Sequence, residues 1–499
     1  KLTATATQDI TGAGATASLG DTTLNAGRNI ALTGSSQTAG NLTATAANNL
    51  SIAALPVVGG NATLTGTNVS LGRAGATTQV TGTLTATGTQ GVTTAGTLYT
   101  NSANLIGGTV TNTGTVSASN ALTATGSTIT NSGTLGGATT TVHGTNVVNS
   151  GLIGGQTVNV TANNSLNNQN GTLLGTKTLN VTTSTLASNQ NGVIFAGDPT
   201  GKTTGGDLTL TISGGNGSFN NAGGQSLAAN NATLNLSNQA LDGANPNLGT
   251  INAGNQLTYN VGAVNNTGSW TLGGNSATVN AANGITNSGS IQHANDLTLN
   301  TSGAVSNTGQ IVAGHDLTVS GGTVGNAAGA TLHADNNLSV TGATANRGTV
   351  EALNDIKIAG TGYDNAGALT QANRDVNINV SGDVTNGGGT IGAGRDVSLT
   401  ASRVLNDAVG GGTSTGTTVV TGQEVNPTYL SQIVVGAKQL SRVVYSQGGD
   451  GVAVVWGQYN VPLTLGMLLP DANGVISAYQ AVENYGNGGP NGNNTRQAN

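Results

Sequence analysis

Residues 307–326 read Asn307-Thr-Gly-Gln-Ile-Val-Ala-Gly-His-Asp-Leu-Thr-Val-Ser-Gly-Gly-Thr-Val-Gly-Asn326, and they contain one whole repeat unit. It joins an Asn-x-Gly-x-(Ile/Val/Leu) motif to an Ala-Gly-x-(Asp/Asn) motif, and it ends on the asparagine of the next unit. Apolar residues alternate with Thr or Ser between turn residues, which is typical of short strands with one buried face. Both motifs recur along the chain at a nearly fixed interval, which is the sequence signature of a repeat architecture.

The asparagine of the first motif marks the repeat most clearly. From Asn247 onward the intervals are 19, 21, 20, 19, 20, 19, 21 and 20 residues. Counterparts with small insertions begin at Asn168 and Asn189, and another lies at Asn221. Asparagine tolerates left-handed turns, and its amide can bond an equivalent amide one coil along, so we expect a ladder. Its predicted members are Asn112, Asn131, Asn149, Asn247, Asn266, Asn287, Asn307, Asn326, Asn346, Asn365, Asn386 and Asn406.

Twenty residues cannot close a hydrophobic core alone. Residues 296–315 contain three short β segments, at Leu297–Leu299, Ala304–Val305 and Gln310–Val312. Such a unit can coil once and stack on the next coil at about 4.8 Å, burying a shared core. The sequence therefore predicts an all-β protein, a right-handed parallel β-helix with about 20 residues per coil over residues 1–410.

The composition narrows the classes of function. Charged residues make up 6% of the 499 residues, the net charge is −6, and no run of Lys or Arg occurs, so nucleic acid is not an expected partner. The absence of cysteine suits a chain that crosses an oxidising compartment unfolded. No apolar run approaches the length that spans a bilayer, so no membrane-spanning segment is expected. The chain begins in mid-pattern, and we interpret it as part of something longer.

The repeat pattern stops near Asn406, and the composition then changes. We predict a linker at residues 411–418, a C-terminal β cap or the start of a further domain at 419–485, and a flexible tail at 486–499. Trp456 and Tyr459 are candidate receptor contacts, although aromatic residues that cap the last coil explain the composition equally simply.

Few residues offer chemistry. His143, His293, His315 and His333 are the only histidines. The last three lie six, eight and seven positions after their ladder asparagines, so we interpret them as exposed turn residues that do not converge on a metal. The column Asp296, Asp316, Asp355, Asp375 and Asp396 could form stacked carboxylates for glycoside cleavage, but each position also suits an Asx turn, with Arg374 and Arg395 alongside.

Thr-x-Thr pairs such as Thr3-Ala-Thr5 and Thr123-Ala-Thr125 resemble ice-binding arrays, but threonine is also a good strand former, and the pairs do not repeat on every coil. We therefore predict no catalytic, cofactor-binding or metal-binding residues, and no enzyme activity in the repeats.

The two repeat motifs resemble those of a known family. Ala-Gly-x-(Asp/Asn)-(Leu/Val/Ile)-x-(Leu/Val) followed by Asn-x-Gly-x-(Ile/Val/Leu), over roughly residues 1–410, is similar to the filamentous haemagglutinin repeats of two-partner-secretion exoproteins. The resemblance implies export through an outer-membrane transporter, a location secreted or on the bacterial cell surface, and a stalk that mediates adhesion to a host or neighbouring cell. One alternative is the stalk of a contact-dependent growth inhibition protein. Ala481-Val-Glu-Asn-Tyr485 resembles a motif before the toxin in that family, but Tyr485 replaces its second Asn and coincidence is the simpler explanation. A carbohydrate-active β-helix enzyme is a minor alternative.

Overall fold

The protein is all-β. The computed structural model describes residues 1–201, 205–406, 434–448 and 451–464. It is a parallel β-solenoid of about 20 turns with about 20 residues per coil, which confirms the fold class predicted from the repeat. The chain divides into two compact units, residues 1–239 with 245–252 and residues 240–244 with 253–499.

The first twenty strands are 3 to 18 residues long, and one short 3-10 helix lies among them. In chain order they are β1 Leu2–Ala6, β2 Ile10–Gly12, β3 Thr16–Ser18, β4 Thr22–Ala26, β5 Ile30–Thr38, β6 Leu42–Ala46, β7 Asn49–Ala54, β8 Ala62–Leu71, β9 Thr77–Thr94, β10 Thr97–Asn112, β11 Thr115–Ala118, β12 Ala121–Asn131, β13 Thr134–Asn149, β14 Leu152–Asn167, β15 Thr172–Ser188, β16 Val193–Ala196, β17 Asp207–Ile212, β18 Gln225–Ala228, β19 Ala232–Leu241, η1 Pro246–Leu248 and β20 Thr250–Ala253.

The remaining strands are shorter and more even in length. They are β21 Gln256–Asn266, β22 Ser269–Thr271, β23 Ser276–Ala281, β24 Gly284–Asn287, β25 Ser290–His293, β26 Asp296–Thr301, β27 Ala304–Asn307, β28 Gln310–Ala313, β29 Leu317–Asn326, β30 Thr331–Ala334, β31 Leu338–Asn346, β32 Thr349–Ala352, β33 Ile356–Gly360, β34 Tyr363–Asp364, β35 Leu369–Ala372, β36 Asp375–Val380, β37 Asp383–Thr385, β38 Thr390–Ala393, β39 Asp396–Thr400, β40 Arg403–Leu405, β41 Val434–Gly448 and β42 Gly451–Thr464.

In the first unit each coil presents three faces. The first face includes β1, β4, β6 and β17, the second includes β2 and β7, and the third includes β3, β11, β16 and β18. Longer strands such as β13 and β14 run through the corners and belong to more than one face. The pairing is parallel and close to one coil apart, as in Leu2↔Thr22↔Leu42. Side chains of one coil therefore lie above their equivalents in the next.

The second unit keeps the same order of faces. Its first face includes β23, β26 and β29, its second includes β24 and β27, and its third is a separate seven-stranded sheet ordered β22-β25-β28-β30-β32-β35-β38. The three strands of residues 296–315 are β26, β27 and β28, in the positions that the sequence predicts.

Aliphatic columns fill the interior. Leu297, Leu317, Leu338 and Ile356 are in parallel register and are each at most 1% exposed. Each strand alternates one buried residue with one facing out, so Leu, Ile, Val and Ala fill most of the lumen, together with a few buried aromatic residues such as Tyr259, Trp270 and Tyr363.

Beyond residue 406 only the backbone of β41 and β42 is described. They form an antiparallel hairpin in which Val443 pairs with Trp456 and Leu440 with Tyr459. The predicted linker at 411–418 and the tail at 486–499 lie outside the described residues. Within the part of the chain that the structure describes, no helix is long and apolar enough to cross a membrane.

Candidate functional site

A ladder of buried asparagines lies at the corner between the second and third faces of the first unit. Successive side chains are linked from Nδ2 to the Oδ1 of the next at 2.6–2.8 Å, and every member is at most 1% exposed. The members in order are Asn112, Asn131, Asn149, Asn168, Asn189 and Asn221. The two insertions are absorbed in the turns, where Asn170 and Asn191 adopt left-handed φ values of 58° and 54°.

Each rung also bonds to the backbone. Asn131 Nδ2 donates to the Leu152 carbonyl of the next coil at 3.1 Å and to Gly133 O at 3.2 Å, while its Oδ1 accepts from Asn112. The side chain thus satisfies its own amide and carbonyls of the turn, which a buried polar group requires. A neutral amide that is fully bonded within the chain serves structure and not chemistry.

The second unit contains an equivalent ladder. Its Nδ2–Oδ1 distances run from 2.7 to 2.9 Å. Its members are Asn266, Asn287, Asn307, Asn326, Asn346, Asn365, Asn386 and Asn406.

Asn247, which the sequence places in the ladder, is a correction. It lies in η1, and Asn221 Nδ2 donates instead to the Leu248 carbonyl at 2.8 Å. The reason is local, since Asn245 caps the turn by accepting from Asn247 N and Pro246 begins the 3-10 helix. The Asn-x-Gly-x-Ile pattern is present here, but the 3-10 turn leaves Asn247 outside the ladder.

A second corner, between the third and first faces, carries the aspartates. In the second unit Asp296 Oδ1 accepts the backbone N–H of Asp316 at 3.1 Å, and Asp316 Oδ1 accepts that of Asn337 at 3.0 Å. Asp355 Oδ1 likewise accepts from Asp375 N at 3.2 Å. These carboxylates therefore bond the next coil, and not the backbone N–H two residues on that the predicted Asx turn would use.

The arginines at this corner pair with the preceding coil. Arg374 bonds Asp355 and Arg395 bonds Asp375, in both cases through two guanidinium nitrogens, whereas the aspartates next to them in sequence are 3.4–3.8 Å away. The hydrogen bond from Arg395 holds the pKa of Asp375 below its usual range. The sequence correctly placed Arg374 and Arg395 beside the aspartate column, but the main partner is one coil away.

Two histidines that the sequence placed on the surface are buried. His293 is 2% exposed; its Nδ1 accepts from Asn295 N at 3.0 Å, so Nε2 carries the proton and donates to Gly274 O at 3.2 Å. Burial lowers the pKa of His293, so the ring is neutral near pH 7. The ring takes an inward position in register with Ala313.

His333 is 4% exposed and holds two carboxylates. Its Nδ1 bonds Glu351 Oε1 and its Nε2 bonds Asp335 Oδ1, both at 2.8 Å. Burial lowers the pKa of His333, but these two bonds outweigh it and raise the pKa to about 9. The ring is therefore an imidazolium near pH 7 that donates from both nitrogens, and it is a charged cross-link between coils.

His315 lies on the surface between two aspartates. Its Nδ1 bonds Asp296 Oδ1 at 2.6 Å and is 3.8 Å from Asp316 Oδ1. The bond to Asp296 raises the pKa of His315. The ligand atoms of these three side chains lie within 4.8 Å of one another, and among the described residues they form the one group of this kind. Both carboxylate oxygens already accept backbone N–H groups, so the group bonds within the chain as it stands.

The remaining candidates are separate from these clusters. His143 faces outward on the first face of the first unit, in register with Thr125 and Thr161. The backbones of Trp456 and Tyr459 lie in β42, and their contact with a receptor stays a prediction.

Comparison with known proteins finds no relative. No protein-family model, curated protein or solved structure matches the chain.

Proposed function

We propose that this chain is the β-helical stalk of a secreted bacterial surface exoprotein that mediates adhesion or cell contact. The observation that carries the proposal is the continuous in-register stacking of coils around a buried asparagine ladder in each unit. The resemblance of the repeats to those of filamentous haemagglutinin supports it.

The geometry suits a spacer. Every coil pairs only with its neighbours, so each added repeat contributes length and brings its own core. The twelve coils of the first unit amount to about 55 Å at about 4.8 Å per coil. Such a design extends a binding element away from a surface without a growing globular core.

The chemistry of the corners also favours a structural role. The aspartates of the second unit cap the next coil or pair with arginine, and His333 cross-links two carboxylates. These groups are occupied in holding coils together, which is what a scaffold requires and what a catalytic pair with a free acid does not show.

Two features of the chain support the further proposal that it is exported through a partner transporter in the outer membrane. The chain contains no cysteine, so no disulfide can form before transport is complete. Because each coil rests on the one before it, folding can proceed coil by coil as the chain emerges. Folding coil by coil would give transport a direction without an external energy source.

The proposal is tested by coating beads with the full chain and measuring attachment to panels of epithelial and bacterial cells. Saturable attachment that free chain competes away is expected, with heat-unfolded chain as the control. Trp456→Ala and Tyr459→Ala then locate the receptor contact, provided that thermal stability is unchanged. Attachment no greater than that of uncoated beads would overturn the adhesive role.

Two further assays address the other functions. Killing of neighbouring cells by a producing strain in mixed culture would show that the function is contact-dependent growth inhibition and not adhesion. Release of reducing sugar from a polysaccharide panel would replace both by a carbohydrate-active enzyme.

A further inference from the structure

The first face of the first unit carries two columns of outward side chains. Parallel register aligns one column as Thr3, Thr23, Thr43, Thr63, Thr85, Asn104, Thr123, Thr141, Asn159, Asn180, Thr209 and Thr233. The other column, two residues along each strand, is Thr5, Asn25, Thr45, Thr65, Thr87, Ile106, Thr125, His143, Thr161, Thr182, Thr211 and Asn235.

Thr-x-Thr pairs do not occur on every coil, as the sequence indicates, but the first five coils carry a nearly continuous array. In the first five coils, from Thr3 to Thr87, every one of these positions is threonine except Asn25. The interval from Thr63 to Thr85 is 22 residues instead of 20, yet backbone pairing keeps the two residues in register.

The array is regular and stiff. Neighbouring coils are about 4.8 Å apart, and the two columns are about 6.6 Å apart along the strand. Threonine is β-branched, so its side chain has few rotamers in a strand and holds its hydroxyl and methyl groups in fixed directions. The strands beneath are anchored by inward residues such as Ala44 and Leu64, both 0% exposed.

The array is also free of formal charge. Neither column contains Asp, Glu, Lys or Arg, and its one titratable residue is His143. The surface therefore suits a neutral partner, because a charged one would find nothing here to offset the loss of its hydration. The columns contain no Tyr or Trp, so they lack the rings on which sugars usually stack.

We propose that this threonine face binds ice. An ice crystal is a neutral lattice of water molecules that repeats in two directions at spacings of the same order as those of the two columns. Rigid hydroxyl groups at such intervals can take lattice positions, and the methyl groups between them order the water that the crystal incorporates. This goes beyond the proposed stalk, since a spacer needs no lateral order on its surface.

The test uses the full chain and three readouts: inhibition of ice recrystallisation, thermal hysteresis, and incorporation into a slowly growing ice hemisphere. We expect the unaltered chain to be active in all three. Thr45→Tyr places a bulky ring in the array and should reduce each activity several-fold. Ser51→Tyr is the matched control, because Ser51 is exposed on the second face of the same coil and should leave the activities unchanged.

Circular dichroism confirms that both variants keep the fold before they are compared. Lack of ice activity in the unaltered chain would overturn the inference, and so would equal activity of the two variants. Cell attachment in the bead assay is a separate readout, so ice binding and the proposed adhesive role can fail independently.

Discussion

The buried asparagine ladder makes the sharpest prediction about stability, at Asn307. Its Nδ2 donates to Asn326 Oδ1 at 2.8 Å and to Thr331 O at 3.0 Å, and its Oδ1 accepts from Asn287 Nδ2 at 2.8 Å. The side chain is 1% exposed, so water does not replace these bonds when they are lost. Asn307→Ala therefore removes two rungs of the ladder, the bond to Thr331 O and two bonds with the backbone of Gly309.

The cost follows from which groups remain buried. Asn326 Oδ1 loses the donor that Asn307 provides, and an unsatisfied buried group costs about 1–3 kcal/mol. Loss of the remaining bonds adds about 1 kcal/mol, so we expect the free energy of unfolding to fall by about 2–4 kcal/mol. Asn287 Nδ2 is less affected because it also donates to Gln310 O at 2.9 Å.

The same coil provides the control. Asn300 belongs to an outward amide ladder, where its Nδ2 donates to Asn280 Oδ1 at 3.1 Å, and it is only partly buried. Asn300→Ala should cost less than about 1 kcal/mol, because water can take the place of the lost bond. Both variants remove an amide from a strand, so the difference between them isolates burial.

Urea unfolding followed by circular dichroism gives the global change. Repeat proteins need not unfold in one step, so hydrogen exchange at the amides of β27 and β29 measures the local change. If Asn307→Ala destabilised the chain no more than Asn300→Ala, the ladder would not be a main source of stability and the reasoning would be refuted.

Three other predictions concern the corners. Gly309→Ala would place a Cβ atom 1.9 Å from the Gly289 carbonyl oxygen, so the free energy of unfolding in urea should fall by about 1–3 kcal/mol or more. A Cβ atom at Gly392 meets nothing within 4 Å, so Gly392→Ala should be nearly neutral. The stabilisation by protonated His333 should be complete below pH about 6.5 and lost as the pH rises through about 9, because its folded pKa is raised. His333→Gln should remove this pH dependence of the free energy of unfolding. An unchanged pH profile in the variant would contradict the prediction. Arg395→Gln breaks an exposed ion pair, so the loss of unfolding free energy should be small and should shrink in high salt. A large loss that does not depend on salt would contradict this prediction.

The candidate sites show where sequence reasoning stops. Counting from the ladder asparagine suggested that His293 and His333 occupy similar exposed turns. The turn after Asn326 is two residues longer than the turn after Asn307, as the pairing of Gln310 with Thr331 shows. His333 therefore lies opposite Val312 on the outer side of the strand, while His293 points inward, and neither position could be counted from the sequence.

Burial of His333 has a similar origin. Its cover comes from Glu351, which is 18 residues later in the chain and directly beside it in the sheet. No local pattern links the two residues. The partners of Arg374 and Arg395 were missed for the same reason, since the nearest carboxylate in sequence is not the one the guanidinium reaches.

The coiled architecture of this protein could be predicted from its sequence alone. A repeat of about 20 residues with alternating apolar positions cannot bury its strands except against copies of itself, so periodicity alone predicts stacked strands, an aliphatic interior and a ladder of asparagines. The tertiary structure was needed to show which residues of neighbouring coils lie side by side. One or two extra residues in a turn change the spacing in sequence but leave the strand register unchanged. The threonine columns and the placement of His293 and His333 depend on that register, which backbone pairing between coils sets, whereas the exclusion of Asn247 depends on a local 3-10 turn.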